Sequence, residues 1–210
     1  MTMLDYERDG AAIYARSFAT IRSEADLRAV PADLEAVVVR IIHACGDVGI
    51  VSSIEASPGF AAAARTALLA GNPIWCDSNM VAHGITRARL PAANAVRCTL
   101  RDEGIAADAL AAGNTRSAIA VERWLPEIAG AVAVVGNAPT ALFRLLELVL
   151  DGVAEPAAII GIPVGFVGAA ESKVALATLP HGIPFLTVHG RRGGSAMAAA
   201  AVNALASSKE

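Results

Sequence analysis

Residues 132–173 read VAVVGNAPTALFRLLELVLDGVAEPAAIIGIPVGFVGAAESK, and one motif occurs in them twice. An apolar run rich in β-branched residues (Val132, Val134, Val135; then Ile159, Ile160) ends at Gly136 or Gly161. A turn of small residues holding Pro139 or Pro163 then leads into a helical pattern. Strand, glycine turn and helix in succession are the unit of a doubly wound parallel sheet. The sequence thus predicts an α/β fold, a single-domain, doubly wound, mainly parallel sheet flanked by helices on both faces, with one domain over residues 1–210. Both turns should lie at the carboxyl edge of adjacent strands, where open α/β sheets bind ligands. Their glycines either make tight connections or let the backbone approach a ligand. Amides freed at the two helix starts are expected to attract an anionic group.

Composition narrows the function classes. Hydrophobic residues make up 55% of the 210 residues but aromatics only 4%, so the core must be built from Ala, Val, Leu and Ile. Such a core suits helices packed closely on a parallel sheet. With a net charge of −3 and no basic stripe interleaved with aromatics, no nucleic acid and no anionic membrane surface is an expected partner. The longest uncharged stretches, Ile128 to Phe143 and Pro156 to Ala170, are shorter than a membrane span and broken by Gly and Pro. Met1 to Gly10 is polar and acidic, unlike a signal peptide, and a cytoplasmic location is expected. Cys45, Cys76 and Cys98 are odd in number and widely spaced, against a disulfide framework or a zinc site.

Polar residues on apolar helices mark the candidate chemistry. Tyr6 to Ser23 reads as a short amphipathic helix with Ser17 inside it. Pro31 to Cys45 reads as a second helix, Pro31 in its first turn, with Leu34, Val37, Val38, Ile41 and Cys45 on one face. Val39 and Ile42 widen that surface, which leaves Arg40 and His43 together on the remaining face. A guanidinium beside an imidazole on a mostly buried helix needs a polar destination: a pocket, a subunit interface or a structural carboxylate. Ser57 to Gly71 reads as a helix capped by Ser57.

Asp77, His83, Thr86 and Arg87 gather beyond a short strand at Ile74 to Cys76, and capping or loop hydrogen bonding accounts for Asp77 and His83. No third ligand at a suitable spacing completes a metal set. Ala95 to Leu100 reads as a further strand. Asn114 or Thr115 should cap a helix with Arg116 in its first turn, where a cation opposes the helix dipole. Arg116 is a plain surface residue or the partner of an anionic ligand. Pro184 to Val188 reads as the last strand, followed by a basic glycine turn (Gly190, Arg191, Arg192, Gly193, Gly194) and a helix capped by Ser195. That turn resembles an anion cradle, but neither GxxxxGK[ST] nor GxGxxG occurs.

Several segments carry a family resemblance: GNAPTALFRLLE (Gly136 to Glu147), GIPVGFVGAAESK (Gly161 to Lys173), GRRGGSAMAAAAVNAL (Gly190 to Leu205), YERDGAAIYARSFATIR (Tyr6 to Arg22) and IIHACG (Ile41 to Gly46). They resemble the signature segments of the precorrin-8X methylmutase (precorrin isomerase) family of corrin biosynthesis, over essentially the whole chain. The resemblance implies a methyl migration from C-11 to C-12 of the tetrapyrrole precorrin-8X, giving hydrogenobyrinate without a bound cofactor or metal. It implies that His43 is the general acid and that Ser17, Arg40, Thr86 and Arg116 contact the substrate. The wording of HACG and AHGITRARLP is closer to the metal-free branch than to the enzymes acting on the cobalt-containing analogue. A non-catalytic corrin carrier is the reading from a different class. Alanine-rich helices and a wide pocket lead us to expect a homodimer with a shared active site.

Overall fold

The two apolar runs of the repeated motif are strands β4 (Val132–Val135) and β5 (Ala158–Gly161), paired in parallel with Val132 opposite Ala158. All eight of their residues are buried, which is why both read as continuous apolar runs without alternation. The computed structural model describes residues 4–207, so Met1 to Met3 of the amino-terminal stretch lie outside the described residues. Four further strands complete a six-stranded sheet: β1 (Ile54–Ala56), β2 (Ile74–Cys76), β3 (Val96–Arg97) and β6 (Phe185–Val188), in the order β1-β6-β5-β4-β2-β3. Neighbours are parallel except β1, which runs antiparallel to β6.

Nine helices among the described residues cover the sheet: α1 (Gly10–Glu24), α2 (Glu35–Cys45), α3 (Phe60–Leu69), α4 (Asn79–Gly84), α5 (Ile105–Ala111), α6 (Arg116–Glu122), α7 (Pro139–Leu150), α8 (Ala169–Thr178) and α9 (Ser195–Ala206). Alternation along the strands divides them between two layers. Val132, Val134, Ile160, Leu186 and Val188 pack with α1, α2, α3, α4 and α9. Ala133, Val135, Ile159 and Phe185 point the other way, against α6, α7 and α8. The doubly wound, mainly parallel sheet expected from the sequence is the observed architecture.

Helix α9 is the tightest piece of packing. It lies between α2 and α4 on the first face, and its alanines let the backbones close up. A Cβ placed on Gly136 would sit 2.7 Å from the Ala198 methyl, and one on Gly84 2.7 Å from the Ala199 methyl. Glycine is required at both by this approach rather than by backbone conformation.

Several element boundaries differ from the sequence expectation. Helix α1 starts at Gly10, because the Asp9 carboxylate accepts from the amides of Ala11 and Ala12 and caps it there. Pro31 lies in a turn ahead of α2, which opens at Glu35 with Leu34 as its cap. Ser57 does not cap α3: its hydroxyl accepts from the Phe185 amide, tying the end of β1 to the start of β6. Ser195 is the first residue of α9, behind Gly194, and its hydroxyl pairs with that of Ser78. The Ala95 to Leu100 run contributes only the two residues of β3, and β1 was not expected at all.

Candidate active site

The centre of the site is built by two helices. In α2 the apolar stripe fixes the rotation of the helix against the sheet, and His43 emerges half-buried from the opposite side of its last turn. Helix α1 is anchored on the same layer by Phe18 and Ile21, and that anchoring turns Ser17 towards α2. The Ser17 hydroxyl lies 2.8 Å from Nδ1 of His43. Tyr14 and Phe18 flank the imidazole with ring centroids at 5.3 and 5.2 Å, so the ring is held by one polar and two aromatic contacts. The Arg40 guanidinium stands over the Phe18 ring, 5.2 Å from its centroid.

This arrangement sets the chemistry of His43. With Nδ1 occupied by Ser17, Nε2 is the nitrogen left for a ligand. In the neutral ring the hydroxyl donates to Nδ1 and Nε2 carries the proton; in the imidazolium Nδ1–H donates to the hydroxyl instead. Burial, and then the positive charge of Arg40, lower the His43 pKa from its ordinary 6.5. The free protein therefore favours neutral imidazole. An anion bound at Arg40 would reverse part of that effect and favour the imidazolium.

The anion site expected at the first glycine turn is filled from within. Asp77 follows β2 and is only 1% exposed. Its carboxylate accepts from the amides of Gly136 at 2.9 Å, Asn137 at 2.9 Å and Ala138 at 2.7 Å, the very donors freed between β4 and α7. Burial is the larger influence and raises its pKa, while the amide bonds pull the other way. Loop hydrogen bonding, expected of Asp77, is what it does, and no exogenous anion is needed there.

The second and third turns are laced to each other. The Gly165 amide donates to the carbonyl of Arg191 and the Gly194 amide to that of Ile162. Gly193 fits only because it lacks a Cβ, which would fall 2.5 Å from the Pro163 oxygen and 2.6 Å from that of Ile162. Lys173, from α8, is fully buried and donates from Nζ to the Arg192 carbonyl at 2.7 Å. Burial pulls its pKa down to about 8. The arginines of the expected cradle are engaged: Arg192 pairs with Asp47, just past α2, and Arg191 lies over the Phe166 ring. Lys173 stood inside a motif quoted from the sequence, yet nothing local distinguishes a buried lysine from one on a helix surface.

The remaining candidates have other surroundings. Thr115 caps α6 as expected, which leaves Arg116 exposed in the first turn, on the other face of the sheet from α2. Thr86 is exposed beyond α4, where its amide donates to the Asn203 side chain in α9. Among the described residues, neither is hydrogen-bonded to Ser17, His43 or Arg40. No group of three or more His, Cys, Asp or Glu side chains among them is placed to hold a metal ion.

Fold and site together define a class: a doubly wound α/β protein with a hydroxyl–imidazole pair beside a guanidinium, joined to the glycine turns at the carboxyl edge of its sheet. The family model described as precorrin-8X methylmutase matches residues 12–208. The chain belongs to the precorrin-8X methylmutase family, isomerases of cobalamin biosynthesis. It is 60% identical to a precorrin-8X methylmutase of Pseudomonas aeruginosa over 99% of this chain and 100% of that one. Identity to a cobalt-precorrin-8 methylmutase of Priestia megaterium is 34%, over 92% of this chain and 85% of that one. A solved precorrin-8X methylmutase from Thermus thermophilus superposes with a TM-score of 0.85 at 36% identity, covering 93% of this chain and 94% of that one.

Proposed function

We propose that the protein converts precorrin-8X to hydrogenobyrinate by moving a methyl group from C-11 to C-12, with His43 as the general acid. The observation that carries this reading is the 2.8 Å contact between the Ser17 hydroxyl and His43 Nδ1, which leaves Nε2 to address a ligand. In the reaction the bond to C-11 breaks as the bond to C-12 forms. A proton given by His43 to a ring nitrogen fixes the reactive tautomer, and a proton released from the macrocycle restores the imidazolium, so the sum is an isomerisation. A lowered pKa makes the imidazolium a stronger acid, and a substrate carboxylate at Arg40 raises the fraction that carries the proton.

Ser17 and Arg40 contact the substrate beside His43, and Thr86 and Arg116 bind further carboxylates. A homodimer with a shared active site belongs to the same reading: Arg116 and His43 belong to helices on opposite faces of the sheet in one chain, which supports a site completed by a second. The metal-free substrate is favoured over the cobalt analogue because the relatives named for it are 60% and 58% identical, against 34% for the Priestia megaterium enzyme. Residues 1–210 act as one domain, and a cytoplasmic location is supported by three free cysteines. Among the described residues no helix is long and apolar enough to cross a membrane.

The test is an absorbance time course of the purified protein with precorrin-8X beside His43→Ala. Wild type should develop the product spectrum, and the variant should show only bound substrate. Wild-type turnover in His43→Ala would remove the assignment of the acid. A single spectral shift with wild type and no further change would favour the carrier or the cobalt substrate.

A further inference from the structure

Beyond the carboxyl edge of the sheet, one turn holds apolar side chains out towards water. In the turn between β5 and α8, Val164 is 44%, Phe166 85% and Val167 88% exposed. The backbone beneath them is fixed. Gly165 is bonded to Arg191, Gly168 takes φ 77° where an added Cβ would meet Pro139 and Phe143, and Lys173 and Gly193 hold the neighbouring turn in place. A loose loop could fold such side chains inward, but this one holds them out. The Arg191 guanidinium, 5.5 Å from the Phe166 centroid, covers one face of the ring and leaves the other outward.

The occupant can be chosen by size and charge. Three such side chains present at most about 400 Å² of apolar surface, whereas a stable dimer takes about 800 Å² from each partner. The patch is too small to hold a second copy on its own, but it matches one face of a flat ring system. Arg191 beside it supplies the charge that a carboxylate on the ring's periphery needs. Through the Arg192–Asp47 pair, the same turn is tied to the segment that follows His43.

We propose that Phe166 and Val167 form an apolar wall against which the macrocycle lies flat, with Arg191 meeting one peripheral carboxylate. The proposal rests on the reading of the ligand as a carboxylated tetrapyrrole. The test is a titration of hydrogenobyrinate, followed by corrin absorbance, into wild type, Phe166→Ala, Phe166→Trp and Leu110→Ala, with the mass of each assembly measured by light scattering. Leu110 is 84% exposed on α5 and serves as the remote apolar control. Phe166→Ala should weaken binding by about 10-fold or more, Phe166→Trp should retain it, and Leu110→Ala should match wild type, all at unchanged mass. Equal affinity of Phe166→Ala and wild type would overturn the wall. A change of mass in Phe166→Ala would overturn it in favour of a contact with a second copy. Wild type that neither binds hydrogenobyrinate nor converts precorrin-8X would overturn the functional reading and this proposal with it.

Discussion

Replacing Asp77 by alanine should cost the protein much of its stability, although Asp77 touches none of the candidate site residues. The carboxylate is buried and takes three amide donors of the β4–α7 turn: Gly136 on Oδ1, Asn137 and Ala138 on Oδ2. Each buried donor left without a partner costs about 1–3 kcal/mol. Water entering the vacated space can reach the partly buried amides of Asn137 and Ala138, but it reaches that of Gly136 less readily. The sum for Asp77→Ala is then about 3–6 kcal/mol, a large share of the roughly 5–15 kcal/mol typical of a domain. Asp77→Asn keeps one oxygen for the Asn137 and Ala138 amides but turns an NH₂ towards Gly136, for a loss of about 2–3 kcal/mol. Urea denaturation at neutral pH, followed by tryptophan fluorescence, should order the midpoints wild type, Asp77→Asn, Asp77→Ala. An alanine variant within about 1 kcal/mol of wild type would refute the claim that this carboxylate holds the turn.

Three further outcomes follow from the same geometry. Arg40→Gln removes the second of two influences that lower the His43 pKa, so an NMR titration of the free protein should show the His43 midpoint move up; an unmoved or lower midpoint would contradict the pairing. For Lys173 the folded pKa is about 8 against 10.5 unfolded, so the unfolded chain takes up a proton first and stability falls as pH drops from 10.5 to 8, by about 3 kcal/mol in all. Lys173→Met should abolish that part of the pH dependence in denaturation series across the window, while leaving the Arg192 carbonyl unbonded. Gly193→Ala forces a methyl against the carbonyl oxygens of Ile162 and Pro163, and a loss of about 1–3 kcal/mol should appear as a lower thermal midpoint.

The central strands were readable in the sequence because β4 and β5 are buried on both faces, which writes an unbroken β-branched run ahead of a glycine. Nothing comparable marks β1, in which Ile54 and Ala56 are half-buried and Glu55 is exposed, and whose partner β6 lies more than a hundred residues away. Helix starts were misplaced where a capping residue had another use: the Ser57 hydroxyl serves Phe185, and α3 starts without a side-chain cap, its Phe60 amide donating to the Ser57 carbonyl. Arg40 and His43 could be found from α2 alone, since the width of its apolar stripe left them one side to occupy. The Ser17 contact could not, because it depends on how α1 packs across α2. The same holds for Asp77, which reaches its amides across a gap of about 60 positions set by the β2–β4 pairing, and for Lys173, which is buried by a turn that follows another strand.

The two outer strands of the sheet decide how the protein behaves when crowded with copies of itself. A sheet edge offers unpaired amides and carbonyls to any passing strand. Here one edge is the three residues of β1 and the other the two of β3. Each also carries a charged residue, Glu55 hydrogen-bonded to His189 and Arg97 paired with Glu127. An incoming strand would gain few hydrogen bonds and would have to displace hydrated charges to reach them. A protein whose core is so uniformly aliphatic depends on such edges to stay dispersed while its apolar surface waits for a ligand.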